Sequence, residues 1–313
     1  MEFRTVVPIE KPNFCITHTD GICLAGSCFT ENIGNYLYNN LFDININPFG
    51  IIYNPIALFT TVAQIFENKQ YVNEDLLCNK SLYYSFNHHG EFSDVDANKV
   101  LNKINTTIKE AHVAYTKSKY IFFTLGTSMV YEHKQTGEIV ANCHKLPADL
   151  FSKRMLTITE IKAAFLSIIK KLKDKKIIFT VSPVRHWRDG AVENQRSKSI
   201  LIESIHQLLH EQENCYYFPA YEIVMDELRD YRFYNSDMLH PNEMAIRYIW
   251  QRFSETYFTP ETIAINNKIL KIRQLLQHKV KHTGTKEYAD FLNKRTELIA
   301  DFTQKYPFLK HDF

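Results

Sequence analysis

Glycine is scarce in this sequence, 9 residues in 313. That is roughly 3% where about 7% is ordinary, so each glycine carries more information than usual. No run of about 18 apolar residues exists, and no membrane-spanning helix is expected. The opening residues lack the long apolar core of a secretory signal. No Cys-x-x-Cys pair occurs among the six cysteines, Cys15, Cys23, Cys28, Cys78, Cys143 and Cys215. Six in a chain this long do not make a disulfide framework, so reduced thiols in a cytoplasmic protein are expected. Charge of one sign is missing too: 37 basic against 35 acidic residues leave a formal +2. That balance excludes a polybasic nucleic-acid binder. Neither a repeat nor a low-complexity linker interrupts the chain.

Apolar residues make up 45% and aromatics 13%, enough for a sizeable core. Four short apolar runs read as buried strands: Gly21–Ala25, Tyr120–Leu125, Ile177–Val181 and the weaker Cys215–Phe218. Helical spacing predicts helices over Phe29–Asn40, Ala57–Glu67, Ala97–Ala114, Thr159–Leu172, Ala191–His210, Tyr221–Leu228 and Pro241–Tyr257. Residues 45–55 read as turns, and Met129–Asn142 as a hairpin around Thr136-Gly137. Strands alternating with helices mean β-α-β units, a mostly parallel sheet covered on both faces. Ligands in such sheets sit beyond the C-terminal strand ends. Residues 1–258 are expected to form this α/β domain, and 259–313 a C-terminal extension of two or three helices.

Two segments carry chemistry. In Ala25-Gly-Ser-Cys-Phe-Thr-Glu31 a strand, a small-residue turn and a helix place one side chain at a helix N-terminus. Amide donors and the helix dipole there stabilise developing negative charge and lower the pKa of a thiol. The structural alternative is Ser27 as a helix cap. In Asn235-Ser-Asp-Met-Leu-His-Pro241, a carboxylate and an imidazole three apart share one loop. Such a loop supplies a general base, His240, and the group that orients it, Asp237. Its structural alternative is a surface histidine before a helix.

The layout of a nucleophile turn near the start, Asp-x-x-His near the end and β-α-β between them is similar to that of SGNH/GDSL hydrolases. More closely, the chain resembles the GSCFA family, a bacterial branch of that superfamily named for its Gly-Ser-Cys-Phe-Ala motif. Here the motif is Gly26-Ser27-Cys28-Phe29-Thr30. The resemblance runs from about Phe14 to Tyr257. It includes Asn47-Pro-Phe-Gly-Ile-Ile-Tyr-Asn-Pro55, Leu125-Gly-Thr-Ser128, Ala141-Asn-Cys-His-Lys145, Ser182-Pro-Val-Arg-His186, Tyr217-Phe-Pro-Ala-Tyr-Glu222 and Asp230-Tyr-Arg-Phe233.

The resemblance implies a flavodoxin-like α/β/α sandwich that hydrolyses or transfers an acyl ester, with a small-molecule or glycan ester as substrate and no cofactor. Ungapped alignment on the Gly-Asp-Ser-Leu-Thr-Glu block puts Cys28 at the nucleophile position, with Ser27 the rival. Oxyanion donors in the superfamily come from the nucleophile's amide, a glycine of the second block and an asparagine of the third. Gly50 suits the second. The third block departs here to Gly126-Thr127-Ser128, so Thr127, Ser128 or Asn142 would substitute. His144, Lys145, Arg185, His186, Asn194 and Lys198 are further substrate-contact candidates near strand ends, whereas His88, His89, His206 and His210 read as solvated or core-edge residues. A metal site from Cys143-His144 with Cys28 and His186 has no support in spacing. A glycan substrate would point to the cell envelope. The rival reading is a non-catalytic binding module on the same fold.

Overall fold

A parallel sheet needs strands apolar enough to be buried on both sides, and the four runs above satisfy that requirement. The computed structural model describes residues 4–278 and 285–309. The first half runs β1 (Ile22–Gly26), α1 (Cys28–Asn39), β2 (Ile44–Ile46), α2 (Pro55–Phe66), β3 (Leu77–Asn79), β4 (Leu82–Tyr84) and α3 (Ala97–Lys117). The middle holds β5 (Tyr120–Leu125), β6 (Met129–His133), β7 (Phe151–Met155), α4 (Ile158–Ile168), β8 (Lys176–Val181) and α5 (Gly190–Glu211). The last part holds β9 (Cys215–Tyr217), α6 (Ala220–Glu222), α7 (Glu243–Tyr257), α8 (Pro260–Gln277) and α9 (Lys286–Lys305).

Five strands form the central sheet in the order β2-β1-β5-β8-β9. All four pairings are parallel. Taken in chain order this is the flavodoxin-like arrangement, with the first strand inside the second. Side chains of β5 alternate between its two faces. Ile121, Phe123 and Leu125 join Phe59 of α2, Ile104 of α3, Phe165 of α4 and Leu201 of α5. Tyr120 and Phe122 join Phe29 and Leu37 of α1 and Ile249 and Phe253 of α7. Each fully buried side chain of this size contributes about 1.5–3 kcal/mol, which is why a three-layer sandwich forms.

Gly26 ends β1 at φ +141°. A Cβ there would lie 2.2 Å from the Thr124 carbonyl oxygen of the neighbouring strand, so only glycine fits. Its amide donates to Asn47 Oδ1 at 2.9 Å.

Several elements differ from the sequence reading. β2 lies at the edge of the segment read as turns, because the three residues Ile44-Asn-Ile46 are too short a run to stand out. The β3–β4 hairpin was not foreseen. Between Met129 and Asn142 the expected hairpin forms in short form around Thr136-Gly137: His133 N–H donates to the Glu138 carbonyl at 2.8 Å, Gly137 N–H to the His133 carbonyl at 2.7 Å and Val140 N–H to the Tyr131 carbonyl at 3.0 Å, with an antiparallel bridge from Glu132 to Ile139. β6 also pairs with β7, which was not expected, antiparallel with Met129 opposite Met155, and Arg154 of β7 bonds Glu132 of β6 at 3.0 Å. Residues beyond Ile168 tighten into a 3-10 turn to Leu172, and Ile223–Glu227 forms a π-helical turn. Pro241 precedes the helix. Asn242 is its cap, accepting from Ala245 N–H at 3.1 Å.

α8 and α9 form a separate apolar cluster from Ile265, Ile269, Ile272, Phe302 and Tyr306, closed against Leu41. His18 Nε2 bonds the Asn40 carbonyl at 3.1 Å and Asn266 Oδ1 at 3.0 Å, joining α8 to the sheet domain. Of the expected C-terminal helices, residues 279–284 and 310–313 lie outside the described residues, as do 1–3 of the opening segment. No described helix is long and apolar enough to cross a membrane.

Candidate active site

At the C-terminal ends of β1, β5 and β8 the chain opens a cleft of about 660 Å³ whose lining includes Cys28, Tyr53, Thr127, Asn142, Arg185, His186 and His240. The two segments singled out in the sequence therefore meet in one cavity.

Ser27 and Cys28 divide the roles at the first turn. Ser27 takes the helix-cap backbone position (φ −70°, ψ 172°), but its side chain caps nothing. It is fully buried, and its Oγ has no partner among the described residues. Cys28, the first residue of α1, is half-buried and lines the cleft. Burial pushes its thiol up, and Glu31 adds to that; its own amide, Lys198 and the Phe29 amide pull the other way. The expected lowering at the helix N-terminus is thus outweighed by burial, although the two N-terminal amides, which have no partner within the helix, favour the thiolate.

The second segment is built as a self-contained loop. Asp237 Oδ1 accepts the amides of Leu239 at 2.9 Å and His240 at 3.0 Å. Oδ2 meets His240 Nδ1 at 2.6 Å. The two amides, and then the ring, hold the Asp237 carboxyl down at about 2. Met238 takes φ +58° to close the turn. With Nδ1 turned to the carboxylate, Nε2 is the nitrogen of His240 left to exchange a proton.

Arg185 fastens this loop to the end of β8. Its amide donates to the Leu239 carbonyl at 3.2 Å and its guanidinium to the Met238 carbonyl at 3.3 Å. The guanidinium also lies over the Trp187 ring at 4.3 Å. His186 stands edge-on to Tyr53, ring centroids 5.4 Å apart. Burial, then Lys198, lowers it to about 4, so it is neutral at physiological pH. Its Nε2 is buried without a partner among the described residues.

The expected oxyanion donors are placed differently. Gly50 (φ +78°) donates its amide to the Asn47 carbonyl at 2.7 Å, is packed against His89, and does not line the cleft. The Gly126 and Thr127 amides both go to the Tyr53 carbonyl, at 2.9 and 3.1 Å. Ser128 is buried behind the cleft, its amide donating to Ser197 Oγ at 2.7 Å and its hydroxyl 3.1 Å from the same atom. Thr127 lines the cleft, but its hydroxyl is shared with Ser197 Oγ at 3.0 Å and the Met129 amide at 3.0 Å. Asn142 does face the cleft, with Oδ1 taking the His144 amide at 2.8 Å. His144 does not: Nε2 reaches the Ser85 carbonyl at 2.8 Å and the ring packs on Tyr84 at 4.5 Å. Its position also removes it from the metal constellation considered above. Among the described residues no group of three His, Cys, Asp or Glu side chains is arranged to hold a metal ion.

Sequence reasoning names neither Tyr53 nor Trp187 and gives His89 a solvated or core-edge role, but all three line the cleft. Tyr53 sits in the quoted Asn-Pro-Phe-Gly block, so proximity to a motif was the available signal. His89 lies in a stretch with no assigned element. Lys145, Arg185 and Arg188 make the lining basic; its one acid, Asp189, is ion-paired with Lys153 of β7.

The GSCFA family profile matches residues 21–253. The chain belongs to the GSCFA family. The match spans the sheet, Cys28 and the Asp237–His240 loop, and stops before α8. No curated protein matches the chain.

Proposed function

We propose that this GSCFA protein is an SGNH/GDSL-type acyl hydrolase or acyltransferase acting on an esterified small molecule or glycan, with Cys28 as nucleophile. The observation that carries the reading is the convergence of Cys28 and the Asp237–His240 pair on one cleft. In this scheme His240 Nε2 takes the thiol proton as sulfur bonds the ester carbonyl carbon. The C–O bond then breaks, and the leaving alkoxide receives that proton. Water, or an acceptor alcohol, loses a proton to His240 and attacks the thioester, releasing acid or new ester and restoring the thiol. Asp237 holds the imidazole in the tautomer that leaves Nε2 free. In this scheme the Cys28 and Phe29 amides at the head of α1 donate to the oxyanion, with Asn142 of the cleft lining as a further donor.

A second reading, a binding module without chemistry, draws on the amides of Gly50, Gly126 and Thr127, all committed to carbonyls of the fold. One experiment separates the two. Purified protein should hydrolyse an activated acetyl ester, and His240→Ala should lose that activity while keeping its fold. Equal turnover in the variant rules the mechanism out, and no turnover in the wild type favours the binding module.

A further inference from the structure

A second cavity, of about 320 Å³, adjoins the cleft and shares Arg185 and Trp187 with it. Tyr221, Asp230, Tyr231 and Tyr234 are also in its lining. It thus gathers two stretches of the family resemblance, residues 217–222 and 230–233, to which the reaction above gives no role.

Arg185 belongs to both linings, and its guanidinium is held in place. One N–H donates to the Met238 carbonyl at 3.3 Å, and the exposed rings of Trp187 and Tyr231 lie 4.3 and 6.0 Å away. A guanidinium carries several N–H donors, and this one alone is bonded among the described residues. Clamping a carbonyl needs a donor but no charge. Among the described residues Arg185 has no acidic partner, and neither have Lys145 and Arg188, the other cations of the cleft. The acids around it are engaged elsewhere: Asp189 with Lys153, Asp230 with Arg232 at 2.9 Å, Asp237 with His240 at 2.6 Å. Three unpaired cations therefore meet at one cavity in a chain whose formal charge is only +2. Such a cavity draws in anions, and an arginine fork backed by an aromatic ring orients them.

The anchorage of Arg185 also says which half of an ester carries the charge. Its amide and its guanidinium bond the Leu239 and Met238 carbonyls, so it is fixed to the loop that presents His240. In the proposed reaction His240 returns a proton to the leaving alkoxide, which puts the alcohol half of the ester on that side.

We propose that the alcohol half of the substrate bears an anionic group, a carboxylate or a phosphate, that docks on Arg185, with its ring packed in the side cavity against Trp187 and Tyr231. Arg185 is a binding residue, and no proton moves through it. Lys145 and Arg188, both exposed, attract the anion without fixing it. The assignment rests on the ester-cleaving reading above and names its substrate class.

The test takes the purified protein and three alcohols, 4-hydroxybenzoate, its neutral analogue 4-hydroxybenzamide, and 4-hydroxyphenyl phosphate. By calorimetry the better of the two anions should bind about tenfold or more tighter than the amide. Which anion binds better tells a carboxylic acid from a phosphorylated alcohol. Equal affinity for all three overturns the proposal with no variant needed. Arg185→Gln keeps a donor for the Met238 carbonyl and removes the charge, and it should bind all three alike. A folded Arg185→Gln protein that retains the preference overturns the proposal. Should it not fold, Arg185→Lys decides, since an ammonium lacks the fork; an undiminished preference there overturns it too.

Turnover gives a second readout. The ratio of kcat/KM for 4-acetoxybenzoate to that for 4-acetoxybenzamide should fall about tenfold in Arg185→Gln. A variant that merely loosened the His240 loop would slow both esters alike, and an unchanged ratio overturns the proposal. The binding readout needs no chemistry. A protein that holds the anion through Arg185 and cleaves neither ester sinks the hydrolase reading alone. One that cleaves both at a ratio untouched by Arg185→Gln sinks the role of Arg185 alone.

Discussion

Asp237 divides its carboxylate between ring and backbone: Oδ2 lies 2.6 Å from His240 Nδ1, while Oδ1 accepts the amides of Leu239 and His240. Both partners are half-exposed, so the pair adds little stability. Its value lies in fixing which ring nitrogen faces the cleft.

That division gives a first expectation. Asp237→Asn keeps an acceptor for the two amides but no longer holds Nδ1–H of His240. Ester turnover should fall by roughly 10²–10⁴-fold at neutral pH, with unchanged thermal stability. Steady-state rates beside a melting curve decide it; a folded variant as active as the wild type removes Asp237 from the mechanism.

Ser27 and Cys28 can be told apart directly. Cys28→Ala should abolish both ester turnover and labelling of this peptide by a thiol reagent. Ser27→Ala should keep both and be neutral or slightly stabilising, because the buried Ser27 hydroxyl already lacks a partner. Loss of activity in a folded Ser27→Ala protein that still labels at Cys28 would hand the nucleophile's role to Ser27.

His88 sets an acid limit on stability. It is fully buried between aromatic rings, stacked 4.2 Å from Phe49, with neither nitrogen bonded among the described residues. Burial, then His144 and Lys69, lowers it to about 3. The unfolded chain takes up that proton first, near pH 6.5, whereas the folded protein resists it. Stability contributed by the neutral ring is therefore complete above about pH 6.5 and is lost as pH falls toward 3. His186 pulls in the same direction. Urea midpoints at pH 7.5 and pH 5.0 should fall less for His88→Phe than for the wild type; equal falls refute the assignment.

The parts of the fold legible in the sequence were those written as continuous apolar runs. β1, β5 and β8 are buried on both faces, so their residues announce themselves without any pairing information. β2 and the β3–β4 hairpin carry too few apolar residues for that. The Thr-Gly hairpin after β6 is a local signal and is legible, whereas the pairing of β6 with β7 is fixed by contacts such as Arg154 with Glu132, twenty-two residues apart. In the site, chain position was enough to bring Cys28 and His240 to the same side of the sheet. It was not enough to say which amides remained unspent, since that depends on where the Tyr53 and Asn47 carbonyls point. Asn194 and Lys198 read in the sequence as substrate-contact candidates opening a helix; that Asn194 Oδ1 holds the His186 amide, and that Lys198 Nζ holds the Gly126 and Ser182 carbonyls, is decided by contacts distant in sequence.

The ion pair between Lys153 and Asp189 ties the β6–β7 ribbon to the short turn at Trp187–Asp189 on the cleft's rim. Both side chains retain contact with solvent, at 33% and 15% exposure, so dissolved salt competes with the tether. At that point the rim is consequently held by an attraction that dissolved ions weaken rather than by packed hydrocarbon.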